Sequence, residues 1–166
     1  MEGKEPGKAA EVSDALGKKV RIRHAVEADI AFISEQLRKN EMDAENLDFN
    51  EFVVATENGE ITGFGRIRKT GQFYQVGCVV VVENKRSRGI GSVIVKHLID
   101  LSPVTLVYIP SELEDYFAKL GFEKMRESSK ELLDAMDEAC NVRGKPNTSI
   151  MVYEKKKGPD YPCSAC

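Results

Sequence analysis

The spacing of apolar residues changes period several times along the chain, and each change marks an element. In KVRIRHA, residues 19–25, Val20, Ile22 and His24 share one face while Arg21 and Arg23 take the other, the alternation of a strand. In EADIAFISEQLRKNEM, residues 27–42, Ile30, Ile33 and Leu37 recur at helical spacing, and the acidic opening suits a helix N-terminus. DAENLDFNEF breaks that period. EFVVATEN (51–58), the turn at Asn58-Gly59 and ITGFGRIRKTG (61–71) read as a hairpin. QFYQVGCVVVVE (72–83) is a third strand, and its valine run predicts burial on both faces. GSVIVKHLIDLS (91–102) places Ile94, Leu98 and Leu101 on one helical face. VTLVYIP (104–110) is a strand, and LEDYFAKLG (113–121) a short helix closed by glycine. FEKMRE, a helix over 130–140 and the strand TSIMVYEKK (148–156) complete the pattern.

The resulting order is β-α-β-β-β-α-β-α-β-α-β. Short turns make the early strands antiparallel, and the unit from 73 to 110 predicts a right-handed parallel crossover. The expected class is α/β (α+β): a central mixed, mostly antiparallel sheet with helices on both faces. Residues 1–18 and 158–166, rich in Gly, Pro, charge and small side chains, read as tails around one domain over 19–157. A chain of 166 residues, 42% hydrophobic, suits one core of that size. Its net charge of −3 argues against a general nucleic-acid binder. There is no apolar run of the ~20 residues a membrane span needs, and MEGKEPGKAAEVSDALGKK has no secretory core. A cytoplasmic protein with no membrane partner is expected. Of the four cysteines only Cys163 and Cys166 are close, and they lack the second pair a zinc site needs. Cys78 reads as a core thiol, and no metal is expected.

The chemistry concentrates in ENKRSRGIGS, residues 83–92, between the valine run and a helix. Free N–H groups at a helix N-terminus, together with its dipole, attract anions. Gly89 and Gly91 let the backbone come close, and Arg86 and Arg88 are donors suited to phosphate oxygens. A P-loop is excluded because Ser92-Val93 follows Gly91, and the dinucleotide fingerprint fails where Ile94 replaces its third glycine.

V-V-E-N-K-R-S-R-G-I-G resembles the acetyl-CoA signature of the GNAT superfamily of N-acetyltransferases. Val81, Arg86, Gly89 and Gly91 fall on its marked places, with Glu83 where proline is frequent. FAKLGF (117–122) resembles that family's late Y-E-K-x-G-F stretch, and the order of elements from 19 to 156 agrees. The resemblance implies a GNAT-type acyl-CoA N-acyltransferase fold with acetyl-CoA as cosubstrate. It implies that the N–H groups of Ser87, Arg88, Gly89, Ile90, Gly91 and Ser92, with Arg86, cradle the CoA pyrophosphate. The backbone of Val79, Val80 and Val81 would pair with the pantetheine arm, beside the family's β-bulge.

Two of the family's frequent catalytic side chains have no counterpart. Gln75 stands where a glutamate base is common, and Phe117 where a tyrosine acid is common. Tyr116 and Tyr108 are the candidates for proton transfer to the leaving thiolate. For each, an ordinary half-buried tyrosine with a routine hydrogen bond is the commoner reading. The loss need not end activity, since acid–base help is worth ~10²–10⁴-fold and positioning with backbone oxyanion donors supplies much of the rest. The acidic stretch with Glu41, Asp43, Glu45, Asp48 and Glu51 is either a lure for a cationic acceptor or a solvated loop. The expected function is acetyl transfer from acetyl-CoA to a primary amine of a small amine, amino acid or protein, by a monomer or homodimer. The rivals are a non-catalytic acyl-CoA-binding or regulatory domain and an unrelated nucleotide-phosphate binder.

Overall fold

A computed structural model describes residues 10–14, 17–140 and 142–156. Residues 1–9 and the stretch 158–166, with Cys163 and Cys166, lie outside the described residues. The chain forms two compact units, one of residues up to 69 with 75–101, the other of 70–74 with 102 onward.

The first unit contains β1 (Ala10–Ser13), β2 (Lys19–His24), α1 (Ile30–Lys39), β3 (Phe52–Glu57), β4 (Glu60–Thr70), β5 (Phe73–Val81) and α2 (Ile90–Leu101), with β4 and β5 reaching into 70–74. These strands lie in the order β1-β2-β3-β4-β5. β1 runs antiparallel to β2, β2 to β3 and β3 to β4. β1 falls within the stretch read as a tail. Its four residues, AEVS, hold a single large apolar side chain, too little for a periodicity signal, and its place comes from pairing Ala10 to Ile22 and Ser13 to Lys19.

α1 and α2 cover opposite faces of this sheet. On β4, Phe64 joins Phe52, Val54, Ile33 and Leu37 in the core under α1, while Gly63 and Gly65 point to the other face. A Cβ at Gly65 would lie 2.7 Å from Ile94 Cγ2 and 2.8 Å from Leu98 Cδ1. At Gly63 it would lie 2.9 Å from the Val80 carbonyl oxygen. Two glycines on one strand face therefore let α2 pack directly on the sheet backbone.

The second unit contains β6 (Leu106–Ser111), α3 (Glu114–Lys119), β7 (Glu123–Lys124), α4 (Lys130–Cys140) and β8 (Ser149–Glu154). β8 lies between β6 and β7 and is antiparallel to both. Leu132, Ala135 and Met136 of α4 pack on Tyr108 and Ile150. On the opposite face of β8, Tyr153 meets Phe122, which stacks edge-on against Phe117 of α3. Every strand pair assigned within a unit here is antiparallel, and the sequence order of elements is the expected one with β1 added. Among the described residues no helix is long and apolar enough to cross a membrane, and no three His, Cys, Asp or Glu side chains are grouped to hold a metal.

The start of α1 is fixed by Asp29. Its carboxylate accepts from both ends of the Arg23 guanidinium, at 2.7 and 3.1 Å, and from the Val26 N–H at 2.8 Å. The Arg23 hydrogen bond is the chief reason that the Asp29 pKa falls below the ordinary carboxylate value; burial opposes it and the Val26 N–H assists. A depressed folded-state pKa stabilises the fold at pH above the unfolded value, ~3.9, and that contribution fades as pH falls through the folded value. Asp29→Asn should thus lower the thermal midpoint at pH 7, and the gap to wild type should narrow below about pH 4. Denaturation followed by circular dichroism across pH checks this.

Candidate functional site

The loop from Val82 to Gly89 leads from β5 into α2. Ser87 and Gly89 both take left-handed backbone, with φ of 66° and 80°. Glycine adopts this freely, whereas serine is there at some cost. The first bond of the helical ladder runs from the Val93 N–H to the Gly89 carbonyl, 3.2 Å. The N–H groups of Ile90 and Gly91 precede it and have no backbone acceptor among the described residues. This is the arrangement in which a helix N-terminus receives an anion. Ile90 is 1% exposed and anchors the helix start in the core.

The two arginines of the loop are engaged elsewhere. Arg86 donates Nε to the Val81 carbonyl and Nη2 to Asn40 Oδ1, each at 3.0 Å, tying the loop to the end of α1. Arg88, expected to offer its guanidinium to phosphate, is buried. It donates Nε to Asp14 Oδ2 at 2.6 Å and Nη2 to both Asp14 and Glu57, the latter at 2.9 Å. Its pKa is raised, first by the hydrogen bond to Asp14. Lys85 lies 3.8 Å from the same Glu57 carboxylate. Burying a cation in this way requires partners, and two carboxylates from distant parts of the chain supply them.

Upstream, β5 carries a left-handed residue in mid-strand: Cys78 has φ of 50°. Such a residue interrupts regular pleating and re-aims the groups that follow. Val79 reaches within 3.4 Å of the Cβ position of Gly65, and Val80 is buried among the residues under α1. Cys78 packs half-buried against that core. The Val81 carbonyl is taken by Arg86. Gln75 is 3% exposed.

In the second unit, Tyr108 is buried against Leu132 and Met136 and meets Phe73 edge-on at 5.7 Å. It lines a small cavity of about 220 Å³ with Gln72, Phe73, Val104, Thr105 and Leu106. Burial pushes its phenol pKa up. Tyr116 is 37% exposed on α3, its ring 5.0 Å from that of Phe117. Phe117 is a core anchor, 5% exposed, packed on Phe122. Of the acidic stretch, Asp43 and Asp48 accept local N–H groups from Glu45 and Asn50, each at 2.9 Å, and Glu51 pairs with Arg66 at 2.6 Å. Three of the five carboxylates therefore have structural work, two within the loop and Glu51 in tying it to β4.

Asp14, Glu57 and Asn40 hold the loop, and no local pattern marks them: their partners are 74, 31 and 46 residues away.

Residues 48–124 match the family model described as an acetyltransferase (GNAT) domain. No curated protein matches the sequence. Among solved structures, N-acetylglutamate synthase from Neisseria gonorrhoeae, complexed with coenzyme A and N-acetyl-glutamate, aligns with a TM-score of 0.71 at 21% identity. The alignment covers 83% of this chain and 35% of that one, so the chain spans about a third of the synthase. Rv2747 from Mycobacterium tuberculosis, in complex with CoA and a second ligand, aligns with a TM-score of 0.69 at 21% identity over 81% of this chain and 99% of that one. An acetyltransferase of the GNAT family from Listeria monocytogenes aligns with a TM-score of 0.65 at 12% identity, over 87% and 99%. The fold is the GNAT fold, and the resemblance read from the sequence agrees with both the family model and these structures.

If Arg88 is a structural cation, Arg88→Met should lower the thermal midpoint more than Arg86→Met, because it takes the guanidinium from buried Asp14 and leaves Glu57 with Lys85 alone. Adding Asp14→Asn to Arg88→Met should then recover part of the loss. A double-mutant cycle by thermal denaturation measures this coupling.

Proposed function

We propose, for a chain with the GNAT fold and a matching acetyltransferase domain, that it transfers the acetyl group of acetyl-CoA to a primary amine. The observation that carries the reading is the loop Val82–Gly89, whose left-handed Ser87 and Gly89 turn the chain into the N-terminus of α2. The CoA pyrophosphate sits on the N–H groups from Ser87 to Ser92. Val79, Val80 and Val81 offer main-chain groups to the pantetheine arm beyond the left-handed Cys78. Because Arg88 is held by Asp14 and Glu57, anion binding here rests on backbone dipoles, with Arg86 at the loop's edge.

Transfer proceeds by direct attack. A neutral amine adds to the thioester carbonyl, a main-chain N–H near Val79 stabilises the oxyanion, and the thiolate leaves. An amine with a pKa of ~10.4 is almost wholly protonated at neutral pH, so a water or a loop carboxylate must accept its proton; the Gln75 amide cannot. Tyr108 or Tyr116 returns a proton to the thiolate. A thiol with a pKa like cysteine's, ~8.5, needs little such help. The acceptor is a small amine, an amino acid or a protein amine, and the protein acts in the cytoplasm as a monomer or homodimer, without metal.

The second reading, an acyl-CoA sensor, is favoured by Gln75 and Phe117, which leave two family proton-handling positions without a titratable group. A panel of amines with detection of free CoA separates the two: turnover above hydrolysis excludes the sensor.

Thermal unfolding with acetyl-CoA, CoA and ATP tests the cofactor. A ligand at ~100 times its Kd adds ~2.7 kcal/mol, which at ~2–4 °C per kcal/mol raises the midpoint by several degrees. Acetyl-CoA and CoA should shift it and ATP should not. Gly89→Val, which forces a β-branched residue into left-handed backbone, should weaken CoA binding about tenfold or more while the domain still folds. No shift with acetyl-CoA or CoA, or unchanged affinity in Gly89→Val, would overturn the assignment.

A further inference from the structure

The first unit has a concavity of about 460 Å³, lined by Glu11, Lys19, Arg21, Arg23, Thr56 and Asn58, with Gly59 at the turn. Side chains alternate along strands, so Lys19, Arg21 and Arg23 of β2 share a face with Val54 and Thr56 of β3. That face is covered by α1 at its Val54 end, where the core lies. Toward Lys19 the helix no longer covers it, and β1 forms a wall through Glu11, which stands opposite Arg21. Glu57, one residue from Thr56, points to the other side of the sheet and to Arg88.

The three cations are not equivalent. Arg23 is committed to Asp29. Lys19 and Arg21 are exposed and make no ion pair among the described residues. Two adjacent uncommitted cations on one strand face, an ammonium and a planar fork, present several donors to one oxyanion. Glu11 accepts but cannot donate when ionised, and the Asn58 amide does both, so together they suit hydroxyl groups. Among the described residues no aromatic or large apolar side chain lines the hollow, so they offer no platform for a base. Its volume is that of a small-ligand site.

We propose that this hollow binds a small hydroxylated phosphomonoester of the sugar-phosphate class, with the phosphate on Lys19 and Arg21 and the hydroxyls on Glu11 and Asn58. The site is separate from the loop at Ser87–Ser92 and does not depend on the acetyltransferase reading. Four of its lining residues, Glu11, Lys19, Arg21 and Arg23, precede the region matched by the family model.

Titration of the ¹⁵N-labelled full chain with glucose 6-phosphate at low ionic strength tests it, with inorganic phosphate and glucose as parallel arms. The amides of Lys19–Arg23 and Thr56–Gly59 should shift saturably with the ester, and more weakly with phosphate or glucose alone. Lys19→Gln combined with Arg21→Gln should raise Kd about tenfold or more, whereas Gly89→Val should leave it unchanged. The proposal falls if no saturable shift appears, if shifts are confined to Ser87–Ser92, if the double variant binds like wild type, or if inorganic phosphate binds as tightly as the ester.

Discussion

A guanidinium enclosed by two carboxylates fixes the functional end of the first unit. Arg88 is 8% exposed and meets Asp14 and Glu57. A charge at that depth is tolerated only with its partners in place. Those partners come from just beyond β1 and from β3, so the loop into α2 is fastened to two strands distant in sequence. Asp14 in turn accepts the Lys18 N–H at 2.8 Å, which closes the turn between β1 and β2. The same contacts that order the loop withdraw its second arginine from solvent. What remains for an anion is main chain: the N–H groups at the head of α2, aimed by left-handed Ser87 and Gly89.

Placing those groups also depends on how closely α2 lies on the sheet. Gly63 and Gly65 remove the Cβ atoms that would hold it off, and Ile94 and Leu98 fill the space. The loop from Val82 to Gly89 links the end of β5 at Val81 to the start of α2 at Ile90. Arg86 closes the corner from the other side by bridging the Val81 carbonyl to Asn40 of the α1 terminus. Strand, loop and both helices of the unit are thereby locked around one short stretch of backbone.

Much of this is legible in sequence, for specific reasons. The strands and helices announce themselves by period, because each has one face in a core: Val20 and Ile22 on β2, Ile33 and Leu37 on α1, Ile94 and Leu98 on α2. The loop stands out because glycines and arginines are set between a valine run and a helix, yet both arginines are engaged within the fold. β1 escapes the pattern, since four residues with one valine carry no period. The occupation of Arg88 is hidden, because a lone Asp14 and a lone Glu57 look like any surface acid until the sheet brings them together. The left-handed backbone at Cys78 is equally silent; Gly77, next to it, is the residue chemistry would have chosen. Proton transfer is the least legible part. Gln75 and Phe117 are both buried, and neither tyrosine is distinguished by its neighbours in sequence.

The measurement that bears most directly on the central claim is amide hydrogen exchange of the full chain with and without CoA. Binding to main-chain groups at the head of α2 predicts protection concentrated at Ser87–Ser92, with a second patch at Val79–Val81. Protection elsewhere, with exchange at Ser87–Ser92 unchanged when CoA is saturating, would contradict it.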